Sequence, residues 1–339
     1  MKYAASFLLI SLLWSVSAQA QDDAWLSDRE AERLFWEYLK TYSPDSYVLM
    51  QDHEQLPTEF RSAGSVVRLG NGQDKWTWVA DKSPMGIRED IGTVVHETNH
   101  GYTTRKAYAL LAENNQLEWG VDYSAFYIAE GQILVVKHQE VLNSHKIARL
   151  IPKELRTFRY RPYLSPANPL LGAQKEGIYG LMDEWNSYFH GTRTHLDMYD
   201  YYASLDRKGG AHYQEWIQQI ASVQVAYLEF KYFILQYLMY VQAEDRQMYQ
   251  ALLNQRELMQ AFFTIDEEYG QVVQGYYDKK AQLLELFLSQ GLRAEDDGEY
   301  FWVNGNGVGT YEQDYRQLEQ ELAKPEYQEM LHAMRRALS

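Results

Sequence analysis

The chain contains no cysteine among its 339 residues. This absence excludes a disulfide framework, a cysteine nucleophile and thiolate ligands for a metal ion. It also excludes attachment to a membrane through a lipidated cysteine. Any metal site or catalytic site in this protein must therefore be built from histidine, carboxylate, amide and hydroxyl groups.

Basic residues are scarce relative to acidic ones. The chain has 32 lysines and arginines against 47 aspartates and glutamates, which gives a formal net charge of −15 at pH 7. A surface with this excess of negative charge repels polyanions and anionic membranes. We therefore expect no nucleic-acid partner.

Long uncharged hydrophobic runs are missing after the first twenty residues. The richest later stretch, residues 216–241, is interrupted by Glu229 and Lys231. A membrane-spanning helix needs about 20 consecutive apolar residues. The stretch is therefore typical of a buried helix, and we expect no membrane span once the N-terminal segment has been removed.

Residues 1–20 have the pattern of a secretory signal peptide. Lys2 supplies a short positive start, Phe7 to Val16 supplies the apolar centre, and Ala18-Gln19-Ala20 is a small-x-small cleavage site. The apolar centre is too short for a membrane anchor. We therefore predict that the protein is exported, either secreted or periplasmic.

The remaining chain predicts an α+β fold. Residues 21–208 contain both strand and helix patterns, whereas residues 209–339 are mainly helical. The most suitable break between the two regions lies near Lys208-Gly209-Gly210. The predicted helices span 27–41 (with Ser27 and Glu30 as a capping box), 88–101 with an extension to 112, 173–189 ending near Gly191, a helical stretch from 211, 244–262, 265–290 and 311–337.

Strands are predicted at three places. The first is a hairpin of 66–69 and 76–80 across Gly70-Asn71-Gly72, the second is 123–137 with a turn at Gly131, and the third is a hairpin of 300–303 and 308–311. Four prolines between residues 152 and 169 indicate a structured loop rather than a helix.

The most informative motif is His96-Glu97-Thr98-Asn99-His100, which matches the pattern H-E-x-x-H. On a helix, positions i and i+4 share one face, so both imidazoles can bind one zinc ion. Glu97 lies at the edge of the same face, where it can accept a proton from a water molecule. The motif predicts a zinc site through His96 and His100, with Glu97 as the general base.

The third zinc ligand must come from another part of the chain, because a catalytic zinc uses three protein ligands. The metzincin pattern is excluded, since Thr103 and Lys106 stand where it requires glycine and histidine. The peptide deformylase type requires a cysteine ligand and is excluded as well. What remains resembles the gluzincins, zinc metallopeptidases whose third ligand is a glutamate on a later helix.

This resemblance implies that Glu184 is the third ligand. Glu184 lies in the predicted helix 173–189, beside apolar residues that would hold that helix against the core. Other side chains of this region stay open as alternatives: Glu176, Asp183, His190 and His195. The resemblance also implies a zincin-like catalytic domain over residues 21–208, with the helical region 209–339 as one wall of its cleft.

Hydrolysis further needs a donor for the oxyanion that forms on the attacked carbonyl group. In gluzincins this donor is a tyrosine or histidine beyond the second ligand helix, which implies Tyr188, His190 or His195 here, with Tyr179 as a weaker candidate. Each of these side chains could instead have a structural role. Zincins also bind substrate as an added strand, and residues 127–136 would offer such an edge.

Three functions are compatible with these features. The first is a secreted or periplasmic zinc-dependent peptidase that acts on peptide or protein substrates. The second is an exported binding or assembly protein that keeps a zincin fold without turnover, although such a protein has no need of Glu97. The third is a zinc hydrolase of a non-peptide amide, such as a cell-wall crosslink. The oligomeric state stays open.

Overall fold

The computed structural model describes residues 24–62, 64–70, 72–118, 120–206 and 209–338. The predicted signal peptide, residues 1–20, lies outside these described residues. Within them, no helix combines the length and the apolarity that are needed to cross a membrane.

The first part of the described chain places two helices and a hairpin before the long helix that carries the motif. These elements are α1 (Asp28–Tyr42), α2 (Pro44–Gln55), β1 (Glu59–Ser62), β2 (Ser65–Arg68) and α3 (Pro84–Glu113), with a 3-10 helix at Lys75–Trp78. The predicted capping box of α1 is confirmed, since Ser27 accepts from the backbone of Glu30 and the Glu30 side chain accepts from the backbone of Ser27.

The predicted first hairpin was wrong in one of its strands. Residues 65–68 do form a strand, but β2 pairs with the preceding β1 in antiparallel register. The predicted strand 76–80 is replaced by the 3-10 helix, whose start is capped because the Asp74 side chain accepts from Trp76 N at 3.1 Å. The Trp76 indole also donates to Glu32 on α1 at 3.2 Å, which holds this turn against that helix.

The middle of the chain contains a second hairpin and the second helix of the candidate site. Its elements are β3 (Tyr123–Ala129), β4 (Gln132–Lys137), 3-10 helices at Ser144–Leu150 and Lys153–Leu155, α4 (Tyr160–Leu164), α5 (Gly172–Lys175), α6 (Ile178–Asp197) and α7 (Tyr199–Leu205). The strands with a turn at Gly131 are confirmed. Residues 152–169, predicted as a loop from their prolines, also contain the short 3-10 helix Lys153–Leu155 and α4.

The predicted helix 173–189 differs from the structure at both ends. It begins as the short α5, breaks at Gly177, whose φ is +56°, and resumes as α6. It then continues through Gly191 to Asp197. Gly191 does not end the helix, because its missing side chain serves a close approach to α3 described below.

The last part of the chain is mainly helical with one small sheet. Its elements are α8 (Ala211–Gln224), α9 (Ala226–Glu244), α10 (Arg246–Leu253), α11 (Arg256–Ser289), β5 (Ala294–Asp296), β6 (Tyr300–Val303), β7 (Asn306–Gly309), α12 (Glu312–Leu322) and α13 (Pro325–Arg336). The helix break predicted near 263 lies at 254–255 instead, and the helix predicted over 311–337 is divided before Pro325. A two-residue turn with positive φ at Asn304 and Gly305 places β7 two residues earlier than predicted.

The fold is therefore α+β, mostly helical, and its described strands form two-, two- and three-stranded antiparallel sheets. Two hydrophobic clusters hold it together. One contains Trp185 and Tyr269, and the other contains Ile91 and Trp216, so each draws residues from both sides of position 208. The N-terminal and C-terminal regions are packed together through these shared cores.

Candidate metal centre

The centre is built where α3 and α6 cross at two glycines. A Cβ atom on Gly191 would lie 2.9 Å from the carbonyl oxygen of Gly92 and 3.3 Å from the Cβ atom of His96. A Cβ atom on Gly92 would overlap the ring of His195. Only glycine allows the two backbones to come this close, and the close approach brings the motif face of α3 against α6.

The two motif histidines and Glu184 converge at this crossing. His96 Nε2 lies 3.2 Å from His100 Nε2, and Glu184 Oε2 lies 3.4 Å from His100 Nε2 and 3.8 Å from His96 Nε2. Ligand bonds of about 2.0–2.2 Å in a tetrahedral site place neighbouring ligand atoms roughly 3.3–3.6 Å apart. The three atoms therefore have a spacing that one metal ion could bridge.

The surroundings of Glu184 fit the same use. His96 is 8% exposed and Glu184 is 9% exposed. Glu184 Oε2 is buried and accepts no hydrogen bond within the described part of the chain. A buried carboxylate oxygen without a donor is costly unless a cation compensates its charge. Two imidazoles and one carboxylate suit zinc, and they also suit other divalent first-row metals such as iron.

Asp183, which the sequence left open as a ligand, contacts His100 instead. Its Oδ2 atom lies 2.7 Å from His100 Nδ1, on the side of the ring opposite the metal-facing Nε2. Ser187 Oγ lies 3.3 Å from the same Nδ1 and accepts from Asn99 Nδ2 at 2.9 Å. A carboxylate on the far nitrogen fixes the ring orientation and the tautomer of a metal-binding histidine.

The two histidines differ in their affinity for protons. Burial lowers the pKa of His96 well below its ordinary value, and the neighbouring His100 lowers it further. Burial also opposes the protonation of His100, but the carboxylates of Asp183 and Glu184 outweigh it and raise the pKa of His100 well above the ordinary value.

Glu97 lies next to the cluster and is partly exposed. Burial raises the pKa of its carboxyl group, His100 lowers it, and the charges of Glu184 and Asp183 raise it again, so the net pKa is raised. A raised pKa improves a carboxylate as an acceptor of protons near neutral pH. Glu97 is therefore a partly exposed carboxyl group with a raised pKa beside the ligand cluster.

Tyr188 forms one wall of the cluster. The centroid of its ring lies 4.3 Å from that of the His96 ring, with an interplanar angle of 65°. Its hydroxyl group lies 2.9 Å from the hydroxyl group of Tyr163 on α4. The structure therefore brings Tyr188 beside the predicted ligands, as the resemblance implied, and adds Tyr163, which the sequence had assigned only to a loop.

His190 and His195, the other predicted catalytic candidates, lie outside the three-residue ligand cluster and make other contacts. His190 Nε2 donates to the carbonyl oxygen of Tyr127 at 2.7 Å, and burial lowers its pKa to about 3. His195 packs against Gly92, and burial lowers its pKa to about 4. Both rings are neutral and serve the packing of α6 against β3 and α3.

The weaker candidates, Tyr179 and Glu176, also lie outside the ligand cluster. The Tyr179 hydroxyl donates to Gln255 Oε1 at 2.6 Å and accepts from Gln139 N at 3.0 Å. Glu176 is exposed and lies outside the three-residue ligand cluster. Tyr179 therefore fastens α6 to α11, and Glu176 lies at the surface.

The predicted substrate edge, residues 127–136, is partly covered. The carbonyl oxygens of Tyr127 and Ile128 accept hydrogen bonds from His190 at 2.7 Å and from Arg193 at 3.3 Å. Both donors lie on α6, so this end of β3 is not free to pair with an added strand.

The sequence does not predict two contacts of this centre, the support of His100 by Asp183 and the contact of Tyr163 with Tyr188. Only the first could have been predicted from helical spacing. Asp183 and Ser187 lie four positions apart on α6 and share one face, so helical spacing could have paired them. Tyr163 fits no helical period of the sequence and contacts the site from α4, which is a separate element.

Comparison with protein-family models, with curated proteins and with solved structures returned no match to this chain.

Proposed function

We propose that this protein is a zinc-dependent peptidase of zincin-like type that acts outside the cytoplasm, either secreted or in the periplasm. The observation that supports the proposal most strongly is the convergence of His96, His100 and Glu184 beside Glu97. The donor set alone suits several metals, but a carboxylate placed directly after the first histidine ligand serves hydrolysis.

When bound, zinc supplies a Lewis acid that acidifies water and polarises a carbonyl group. Glu97 accepts the proton of the attacking water and delivers it to the leaving amine as the peptide bond breaks. Asp183 holds His100 with its Nε2 atom towards the ligand cluster. The net result is the hydrolysis of one peptide bond by one water molecule.

Tyr188 is the proposed donor to the oxyanion that forms on the scissile carbonyl group. Its ring packs on His96, and its hydroxyl group is oriented by Tyr163. A hydroxyl in this position could turn from Tyr163 to the substrate as negative charge develops. A peptide or protein is the proposed substrate, and no nucleic acid takes part.

A peptide library tests this function. The purified protein, loaded with zinc, is incubated with the library, and the products are identified by mass spectrometry. Cleavage that a chelator abolishes and added zinc restores would support the proposal. Retention of one zinc ion per chain without cleavage of any peptide would favour a binding protein or a hydrolase of non-peptide amides.

A further inference from the structure

A surface cleft of about 1000 Å³ lies beside the segment that joins the 3-10 helix Lys153–Leu155 to α4. Its lining includes Arg156, Phe158 and Arg161, together with Asp314 on α12. We call this surface the arginine cleft. None of the residues assigned to the metal centre lines it.

The arginine cleft and the metal centre share a wall. Phe158 is 80% exposed, whereas the next residue, Arg159, is 3% exposed and turns inward. Arg159 Nη1 donates to Glu229 Oε2 at 2.6 Å, and its guanidinium carbon lies 4.3 Å from the centroid of the Tyr188 ring. Tyr188 in turn packs on His96. The segment Phe158–Arg159 therefore faces the cleft through Phe158 and contacts, through Arg159, the Tyr188 ring that packs on His96.

The cleft is cationic on an otherwise acidic protein. Arg156 and Arg161 are both exposed, and Asp314 is the one carboxylate among the described residues that line the cleft. The Arg156 guanidinium is held in place, since its Nε atom donates to Ile151 O at 3.0 Å and it lies 4.8 Å from the Tyr160 ring. A fixed guanidinium loses little freedom when it binds a carboxylate.

Phe158 adds an apolar contact between the two arginines. An aromatic ring that is 80% exposed gains free energy when a partner removes it from water. Aromatic residues and arginines are also the residue types most enriched in protein-binding surfaces. The cleft therefore suits a chain segment that carries both carboxylates and an apolar side chain.

We propose that the arginine cleft binds an acidic segment of the protein substrate, with an apolar side chain of that segment packed on Phe158. The proposal rests on the proposed peptidase function. A protein with a net charge of −15 repels an acidic substrate over most of its surface, so a local cationic cleft selects where such a substrate docks. Docking beside the metal centre raises the effective concentration of the scissile bond there.

Fluorescence anisotropy tests the proposal with a fluorescein-labelled peptide rich in glutamate that contains phenylalanine. The full chain carries Glu97→Gln, so that no turnover disturbs the measurement. We expect Arg161→Glu and Phe158→Ser each to raise the Kd by at least about fivefold, and added salt to weaken binding as well. Lys146→Glu is the matched control, because it makes the same charge change at an exposed position outside the cleft, and it should alter the Kd by less than about twofold.

Several results would overturn the proposal. These are equal binding by the Arg161→Glu and Phe158→Ser variants, equal binding of a peptide with lysine in place of glutamate, or a dimer of this chain that Arg161→Glu dissociates while no peptide binds. Because binding is measured without turnover, its failure leaves the peptidase function standing. Conversely, specific binding of the acidic peptide without hydrolysis of any peptide by the parent chain would support the cleft and count against the peptidase.

Discussion

The Oδ2 atom of Asp183 lies 2.7 Å from Nδ1 of His100, while Nε2 of the same ring lies 3.4 Å from Glu184 Oε2. Consecutive residues of α6 thus act on opposite ends of one imidazole. Asp183 sets the orientation of the ring, and Glu184 lies where a shared metal ion would be bound. The helix α6 therefore provides one candidate ligand, Glu184, and also the carboxylate of Asp183 that orients another, His100.

We therefore predict that Asp183→Asn weakens zinc binding without abolishing it. Loss of such a supporting carboxylate typically reduces metal affinity by about 10–100-fold. Competition with a fluorescent chelator would measure the zinc affinity. Asp200→Asn, which makes the same change at an exposed position on α7, is the control and should retain the parental affinity. Parental affinity in the Asp183→Asn protein would show that the hydrogen bond does not support the ligand.

A second prediction concerns the metal ligands. We expect one zinc ion per chain in the parent protein and its loss in His96→Ala, because His96 Nε2 lies 3.2 Å from His100 Nε2 and no cysteine can replace it. Elemental analysis after dialysis measures the occupancy. His190→Ala is the comparison, since His190 bonds to Tyr127 outside the cluster, and its zinc content should be unchanged. Full zinc occupancy in the His96→Ala protein would remove His96 from the site.

The sequence predicts the part of the site whose residues follow the 3.6-residue repeat of one helix. His96, Glu97 and His100 follow the helical repeat within one element, so their shared face could be read from spacing alone. Glu184 could be proposed because the resemblance to the gluzincins implies a glutamate ligand on a later helix, and Glu184 lies on a predicted helix with an apolar stripe. Tyr163 could not, since it reaches Tyr188 through a tertiary contact from a proline-rich segment with no period.

The errors in the fold have similar causes. The sequence predicts a helix end near Gly191, because glycine is common at that position. In the structure it is inside α6, where the approach of Gly92 requires the absence of a side chain. The strand predicted at 76–80 failed because the Asp74 cap and the packing of Trp76 on α1 outweigh the β propensity of its aromatic residues.

A third prediction concerns the base. Glu97→Gln should keep zinc and the fold but lower turnover by at least about 10²-fold, since the amide cannot accept the proton of the attacking water. Initial rates on the best peptide of the library, with zinc content and circular dichroism as parallel measurements, would show this. Glu113→Gln, an exposed change near the end of α3, should leave the rate unaltered. Turnover within about tenfold of the parent would contradict the role of Glu97.

The helix crossing gives a fourth prediction. Gly191→Ala should destabilise the protein by about 1–3 kcal/mol, because the new Cβ atom would lie 2.9 Å from the carbonyl oxygen of Gly92 and push α6 away from α3. Urea denaturation measures the change. Gly172→Ala is the matched control, since its Cβ would have only an ordinary contact with Glu176 at 3.9 Å. Equal stability of the two variants would mean that the crossing is not close-packed.

The fifth prediction concerns pH and lies at the far end of α6. Burial raises the pKa of Asp197 to about 6, although Ser43, which donates to its Oδ2 atom at 2.6 Å, opposes the shift. Between about pH 4 and pH 6, the folded protein therefore holds a proton on Asp197 that the unfolded chain, with an aspartate pKa of about 3.9, has already released. The stabilisation from this proton is complete below about pH 4 and is lost as the pH rises to about 6.

Asp197→Asn should abolish this loss, because an asparagine stays neutral at every pH and can still accept from Ser43. We expect the variant to exceed the parent in free energy of unfolding by about 1–3 kcal/mol at pH 8 and to match it at pH 4. Urea denaturation at both pH values measures the difference. Asp200→Asn, an exposed change in the next helix, is the control. A stability difference between Asp197→Asn and the parent that is the same at both pH values would show that the Asp197 carboxyl group is not held protonated by burial.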